Sequence, residues 1–201
     1  DGVLPIAFGE ATKTSAYAMD ADKDYTFTIA WGSSTTTQDR EGDVVAQSGA
    51  RASMEDIAAA LATFVGDIEQ VPPKFSAIKV NGERAYDLAR DGEEVELQSR
   101  QVTLYEARLD EASTRDKAII HVTCGKGFYI RSLVRDLAAK LDLEGHVSAL
   151  KRTRVGNFEI ENGQTPDMLD ALADPEARRD VLVPIEAALD DIPAIEISSE
   201  G

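Results

Sequence analysis

The apolar positions of this chain switch between two periods. Tyr25–Trp31 (YTFTIAW) alternates, with Tyr25, Phe27, Ile29 and Trp31 on one side and Thr26, Thr28 and Ala30 on the other. That is the pattern of a half-buried strand. Val102–Leu109 predicts another strand, and Ala118–Cys124 (AIIHVTC), apolar and β-branched, a third. Gly125 and Gly127 then break the pattern, which predicts a turn or bulge where another backbone or a ligand comes close. From Ile130 the period becomes helical: Ile130, Leu133, Val134, Leu137, Ala138 and Leu141 form one stripe. Arg131 and Arg135, four apart, share a face near the start of that helix.

The remaining elements follow from caps and breakers. Ser53 caps a helix whose inner face is Met54, Ile57, Ala58, Leu61 and Phe64. Thr165, with Pro166 in the first turn, caps another whose apolar face is Met168, Leu169 and Leu172. Ala11–Met19 and Ala85–Arg90, which carries Tyr86, read as short helices, and Pro72–Pro73 enforces an extended path. Gly32–Gly42 is a polar loop whose hydroxyls and Asp39 are free to bind. Val147, Leu150 and Val155 are expected to be buried among cations, and Ile192–Ile197 reads as a strand. Strands and helices mix without a βαβ rhythm, which gives an α+β class with a mainly antiparallel mixed sheet flanked by helices.

Composition narrows this. At 201 residues and 43% hydrophobic content the chain suits one sizeable domain, or one domain and a fragment. No apolar run is long enough to span a bilayer as a helix. The single cysteine, Cys124, excludes an intrachain disulfide, fits a reducing cytoplasm and reads as core rather than as a nucleophile. One cysteine and two histidines, His121 and His146, argue against a structural zinc site.

The net charge of −16 argues against a nucleic-acid partner until its distribution is read. Residues 1–114 carry −11 and residues 155–201 carry −10, while residues 115–154 carry +5 and end in Lys151, Arg152 and Arg154. A local basic region can bind phosphates on an acidic body, because charges beyond about 10 Å are largely screened. The alternative for each cation is a solvated surface.

Five phrases carry a resemblance: GVLPIAFGEATK, KDY followed by GSSTTTQDREG, VPPKFSAIKVNGERAYDLAR, GKGFYIRSLVRDL and GHVSALKRTRVGNF. In order and spacing the chain resembles the TruB-type bacterial tRNA pseudouridine synthases over nearly its whole length. The resemblance implies the pseudouridine synthase catalytic fold over residues 1–165, a helical connector at 166–190 and the start of a PUA-like RNA-binding domain at 191–201. It implies isomerisation of a uridine in the TΨC loop of tRNA, with the T arm as partner, no cofactor, and an aspartate nucleophile. A monomeric, cytoplasmic enzyme is expected. The target base must leave the RNA stack, so an aromatic platform is needed.

Residue by residue, Tyr25 matches the base-stacking tyrosine, and Arg131 the arginine that pairs with the catalytic aspartate. Tyr129 matches a tyrosine by the uracil with a proton-transfer role, Leu150 the apolar residue on the base, and Asp39 the polar loop partner. Lys79, Lys126, Arg152 and Arg154 are the expected phosphate contacts. The family phrase L-D-P-L-A-x-G-V-L-P aligns Asp1 with the x, so the nucleophile is expected four positions upstream and Asp1 is not it. The fragment is therefore expected to be inactive by itself. The alternative is a non-catalytic tRNA-binding or tRNA-folding protein on the same scaffold.

Overall fold

Why the alternating strands end up where they do is clear from the sheet. In the computed structural model, which describes residues 1–76, 78–80, 83–84, 97–189 and 192–193, β1 is Lys23–Trp31 and lies at its middle. The other strands are β2 (Ser33–Thr35), β3 (Val44–Gln47), β4 (Gly66–Gln70), β5 (Lys79–Val80), β6 (Glu83–Arg84), β7 (Arg100–Leu109), β8 (Lys117–Cys124), β9 (Gly145–Val155) and β10 (Phe158–Glu159). The principal sheet has six strands in the order β10-β9-β1-β8-β7-β4, and every neighbouring pair is antiparallel. β2 pairs β3 and β5 pairs β6 in separate hairpins. The expected α+β architecture is therefore present.

The helices are α1 (Ser15–Asp20), α2 (Met54–Ala62), α3 (Ile130–Lys140), α4 (Pro166–Ala171) and α5 (Pro175–Asp180). α2 and α3 cover one face of the sheet and form a single core with it. Phe27 and Ile29 of β1, Ile57 and Leu61 of α2, Leu104 of β7, Ile120 of β8, and Leu133 and Leu137 of α3 are all within 1% of full burial. Burying a large aliphatic or aromatic side chain is worth about 1.5–3 kcal/mol, so this layer dominates the stability. Cys124 is in that core, and burial pushes its thiol up to about 12.

Several expectations need adjusting. Ser53 does cap α2, accepting from the Asp56 N–H at 3.1 Å, but Ala60 rather than Ala58 faces inward. Thr165 caps α4 as expected, yet its apolar face is not covered: Met168 is 49% and Leu169 40% exposed. The segment Ala11–Met19 divides into a 3-10 stretch at Gly9–Thr14 and α1. Of the two glycines after β8, Gly127 (φ +82°) needs its missing Cβ for a left-handed turn. Gly125 has the expected close backbone, its N–H donating to the Thr103 carbonyl at 3.0 Å, and the Tyr105 ring lies over it. The helix expected over Ala85–Arg90, the side chain of Lys79 and the strand expected beyond Pro193 lie outside the described residues.

Candidate active site

The site is assembled at one edge of β9, where three separate segments converge on residues of the sheet. The loop between β2 and β3 folds back onto β9. The Val147 N–H donates to the Gln38 carbonyl (3.0 Å) and the Arg40 N–H donates to the Val147 carbonyl (3.1 Å). Gln38 sits at φ +64°, an uncommon region for a side-chain-bearing residue and one that collects at functional loops. This tight turn presents Asp39. Its Oδ1 accepts from the Glu41 N–H (3.1 Å) and the Thr37 hydroxyl (2.5 Å), and Oδ2 from Arg131 Nη1 (3.2 Å).

Arg131 is in the first turn of α3 and ties two loops to the helix. Nη1 also donates to the Thr37 carbonyl (3.1 Å), and Nη2 donates to the Phe75 carbonyl (2.7 Å). Its Nε has no hydrogen-bond partner among the described residues. The side chains of Arg131 and Asp39 are 23% and 24% exposed, enough for a substrate group to reach them. The carboxylate that Arg131 holds here is thus that of Asp39.

Farther along the same edge, residues 1–3 run parallel to β9. The Val3 N–H donates to the Arg152 carbonyl (2.9 Å), the Arg152 N–H to the Asp1 carbonyl (3.2 Å), and the terminal amine to the Leu150 carbonyl (3.2 Å). Gly2 makes this possible. At φ +126°, a Cβ there would lie 2.3 Å from the Arg152 carbonyl oxygen. Arg152 Nε donates to the Val3 carbonyl (2.8 Å), so its guanidinium holds this segment down as well.

Register brings the expected aromatic and apolar partners to the same strands. Tyr25 is opposite Arg152 and Phe27 is opposite Leu150 across β1 and β9. Both Tyr25 and Leu150 are half-buried at the margin of the core. Burial pushes the Tyr25 phenol above its ordinary range, against the opposing effect of a hydrogen bond from Arg152. Tyr129 caps the N-terminus of α3, half-buried, two residues before Arg131.

Two of the expected phosphate contacts are committed elsewhere. Arg154 grips Asp24 with Nε and Nη2, both at 2.7 Å, and donates from Nη1 to the Gly156 carbonyl. Burial alone would raise the Asp24 carboxyl, but the hydrogen bonds from Arg154 and Thr123 and the Arg154 charge bring it below the ordinary range. Lys126 lies on the glycine turn in an exposed pair with Asp20 at 2.5 Å. Lys151 is exposed.

Pattern reading missed the contribution of Gln70. It is buried, and its Oε1 accepts from the Tyr129 N–H at 2.8 Å. The signal was available: Gln70 shares the face of Ile68 in a strand, so a polar group was being turned inward.

The two principal cavities are elsewhere. One, of about 380 Å³, lies between α1 and β10 beside Tyr17 and Phe158, and a shallow groove of about 700 Å³ separates α2 from the end of α3. Neither of these two is lined by Tyr25, Asp39, Tyr129 or Arg131. Among the described residues no group of acidic, histidine or cysteine side chains is placed to hold a metal ion, and no helix is long and apolar enough to cross a membrane.

An antiparallel sheet flanked by helices, with an acidic loop held by an arginine at a helix start, is a fold that solved structures share. It superposes on a crystal structure of a Cbf5–Nop10–Gar1 complex with a TM-score of 0.68 and 25% identity, covering 94% of this chain and 49% of that one. A structure of an H/ACA ribonucleoprotein bound to a substrate RNA containing 2′-deoxyuridine shares the fold (TM-score 0.66, 22% identity, 94% and 48% covered).

The sequence carries the assignment further. Residues 1–130 match the model of the TruB family pseudouridylate synthase N-terminal domain, and residues 131–190 that of the tRNA pseudouridylate synthase B C-terminal domain. The chain belongs to the TruB family of pseudouridylate synthases. It is 51% identical over 199 residues to the tRNA pseudouridine synthase B of Caulobacter sp. strain K31, covering 99% of this chain and 64% of that protein. It is 49% identical over 200 residues to the protein of the same name from Ruegeria pomeroyi, covering 100% and 66%. The chain thus spans just under two thirds of the length of these relatives. The boundary between the two family models falls at the start of α3, inside one continuous sheet and core.

Proposed function

We propose that the whole protein isomerises a uridine in the T arm of tRNA to pseudouridine, with this chain supplying most of the site around the flipped base. Family membership supports the reaction class. The observation that carries the site is Arg131, whose Nη groups are anchored on Thr37, Asp39 and Phe75 while Nε, with no partner among the described residues, is the group left for a further acceptor. In this reading that acceptor is the nucleophilic aspartate, held in orientation by a charge-assisted hydrogen bond.

The direction of residues 1–3 supports the same assignment. They run parallel to β9 beside Leu150 and Arg152, so four further residues in extended form reach about 13 Å back along that edge. That is the end of β9 where Asp39 bridges Val147 and bonds Arg131. Tyr25 stacks the uracil, Leu150 packs on it, and Tyr129 exchanges a proton near it. The chemistry breaks the C1′–N1 bond, turns the base and rejoins it to C1′ through C5; C5 loses its proton to solvent and N1 takes one up. No redox partner is required.

Tritium release from tRNA transcripts labelled at C5 of uridine, with the whole protein, tests this. Release at a single T-arm position is expected. Bound tRNA without release would refute the enzymatic reading and leave an RNA-binding protein on this scaffold.

A further inference from the structure

We infer that Gln70 is a positioning residue for this site: its side chain fixes the backbone of Tyr129 and, through it, the start of α3 from which Arg131 projects. The inference rests on the reading proposed above. Gln70 ends β4 with only 1% of its surface exposed. Its Oε1 accepts from the Tyr129 N–H at 2.8 Å, while its Nε2 is buried with no partner among the described residues.

The geometry replaces a missing local device. A helix start is commonly fixed by a capping box, in which the cap side chain bonds the third helical N–H and the third residue bonds back to the cap N–H. Tyr129 is the cap residue of α3, and its side chain caps nothing. The third helical residue, Ser132, turns away and donates to the Val71 carbonyl at 2.8 Å. The cap N–H is instead satisfied by Gln70, reaching across from another strand.

Nor is that bond alone. Arg135 Nη2 donates to the same Val71 carbonyl (3.0 Å), and Arg131 Nη2 to the Phe75 carbonyl (2.7 Å). The end of β4 and the segment after it are therefore bound to the start of α3 at four points among the described residues, and of these four only the Gln70 bond reaches the backbone of a candidate site residue. Burying an amide with an unpartnered NH2 is unfavourable for stability alone. That cost is accounted for if the Oε1 contact sets where Tyr129 and Arg131 meet the base.

Two substitutions in the whole protein separate positioning from mere support. Gln70→Met keeps the volume and removes the acceptor. Gln70→Glu keeps the shape and an acceptor oxygen and exchanges the unpartnered NH2 for a carboxyl oxygen; since the new group is ionisable and buried, its kcat is read across pH so that the neutral acid form is included. For Gln70→Met we expect kcat to fall about 10- to 100-fold, the scale of a misplaced catalytic geometry, with KM within about threefold of wild type. Gln70→Glu is expected to recover kcat to within about threefold of wild type.

A Gln70→Met enzyme that turns over normally would overturn the inference. So would a loss of activity that appears only as a raised KM, or a folded Gln70→Glu enzyme as impaired as Gln70→Met. Should Gln70→Met fail to fold, Gln70→Glu decides alone. A near-normal kcat supports the acceptor role and a lost one refutes it. Absence of turnover in the wild-type protein would refute the enzymatic reading itself, an outcome distinct from unchanged turnover in the variants.

Discussion

Replacing Arg131 by alanine in the whole protein gives the most direct test of the site. The structure sets the cost in two parts. Among the described residues Arg131 makes three hydrogen bonds, to the Thr37 carbonyl, Asp39 and the Phe75 carbonyl. At about 1 kcal/mol each, and with Arg131 and Asp39 about a quarter exposed so that water replaces part of what is lost, the stability cost is about 2–3 kcal/mol. For a domain of this size that lowers Tm by about 5–10 °C, so the assay belongs well below the new midpoint. On the proposal above Arg131 also pairs the nucleophilic aspartate, and loss of a carboxylate's arginine partner is worth about 3–5 kcal/mol, or about 10²–10⁴-fold in rate.

Single-turnover tritium release gives the rate, and filter binding the affinity for tRNA. The expected result is a rate loss of that size with affinity within a few-fold of wild type, since the proposal gives Arg131 to the nucleophile and not to an RNA phosphate. Near-normal turnover in a folded Arg131→Ala protein would refute the reasoning. So would a loss of tRNA binding large enough to account for the whole defect.

The other predictions follow from single features. Gly2→Ala should destabilise the protein by about 1–3 kcal/mol in urea denaturation, since the left-handed backbone and the Arg152 carbonyl leave no room for a Cβ; unchanged stability would mean that residues 1–3 do not lie on β9. Lys151→Ala should reduce the slope of log affinity against log salt by about one, and an unchanged slope would remove Lys151 from the phosphate contacts. Asp24 is held below the ordinary carboxylate range in the folded chain, so its contribution is present above the unfolded value near 4 and is lost as the pH falls through the folded value. Acid titration of Asp24→Asn should therefore show a shallower loss of stability below about pH 4 than wild type, and parallel curves would refute the Arg154 pairing as the cause. Cys124, pushed up to about 12, should resist alkylation at pH 8 until the protein unfolds; fast labelling of the native protein would contradict its burial.

Much of this protein was decided by local sequence. The alternation in Tyr25–Trp31 and the helical stripe from Ile130 each determine an element and its buried face, because side-chain period follows directly from backbone geometry. Ser53 and Thr165 fix helix starts by satisfying N–H groups within three residues. The five family phrases named Tyr25, Asp39, Tyr129, Arg131 and Leu150 as expected site residues, of which the structure bonds Asp39 to Arg131. What chain-local patterns left open was who binds whom. The partner of Arg154 is Asp24, 130 residues away, and only the β1–β9 register puts them side by side. Asp39 meets Arg131 because a loop between two short strands docks on β9, a contact set by tertiary packing. Gln70 caps a helix 59 residues distant, and no spacing rule links them. Ala58 and Ala60 compete for the inside of α2 with equal hydrophobicity, and only the position of the sheet resolves which is buried. Periodicity is a property of the backbone and can be read from one segment. Pairing depends on which surfaces meet, and that exists only once the chain has folded.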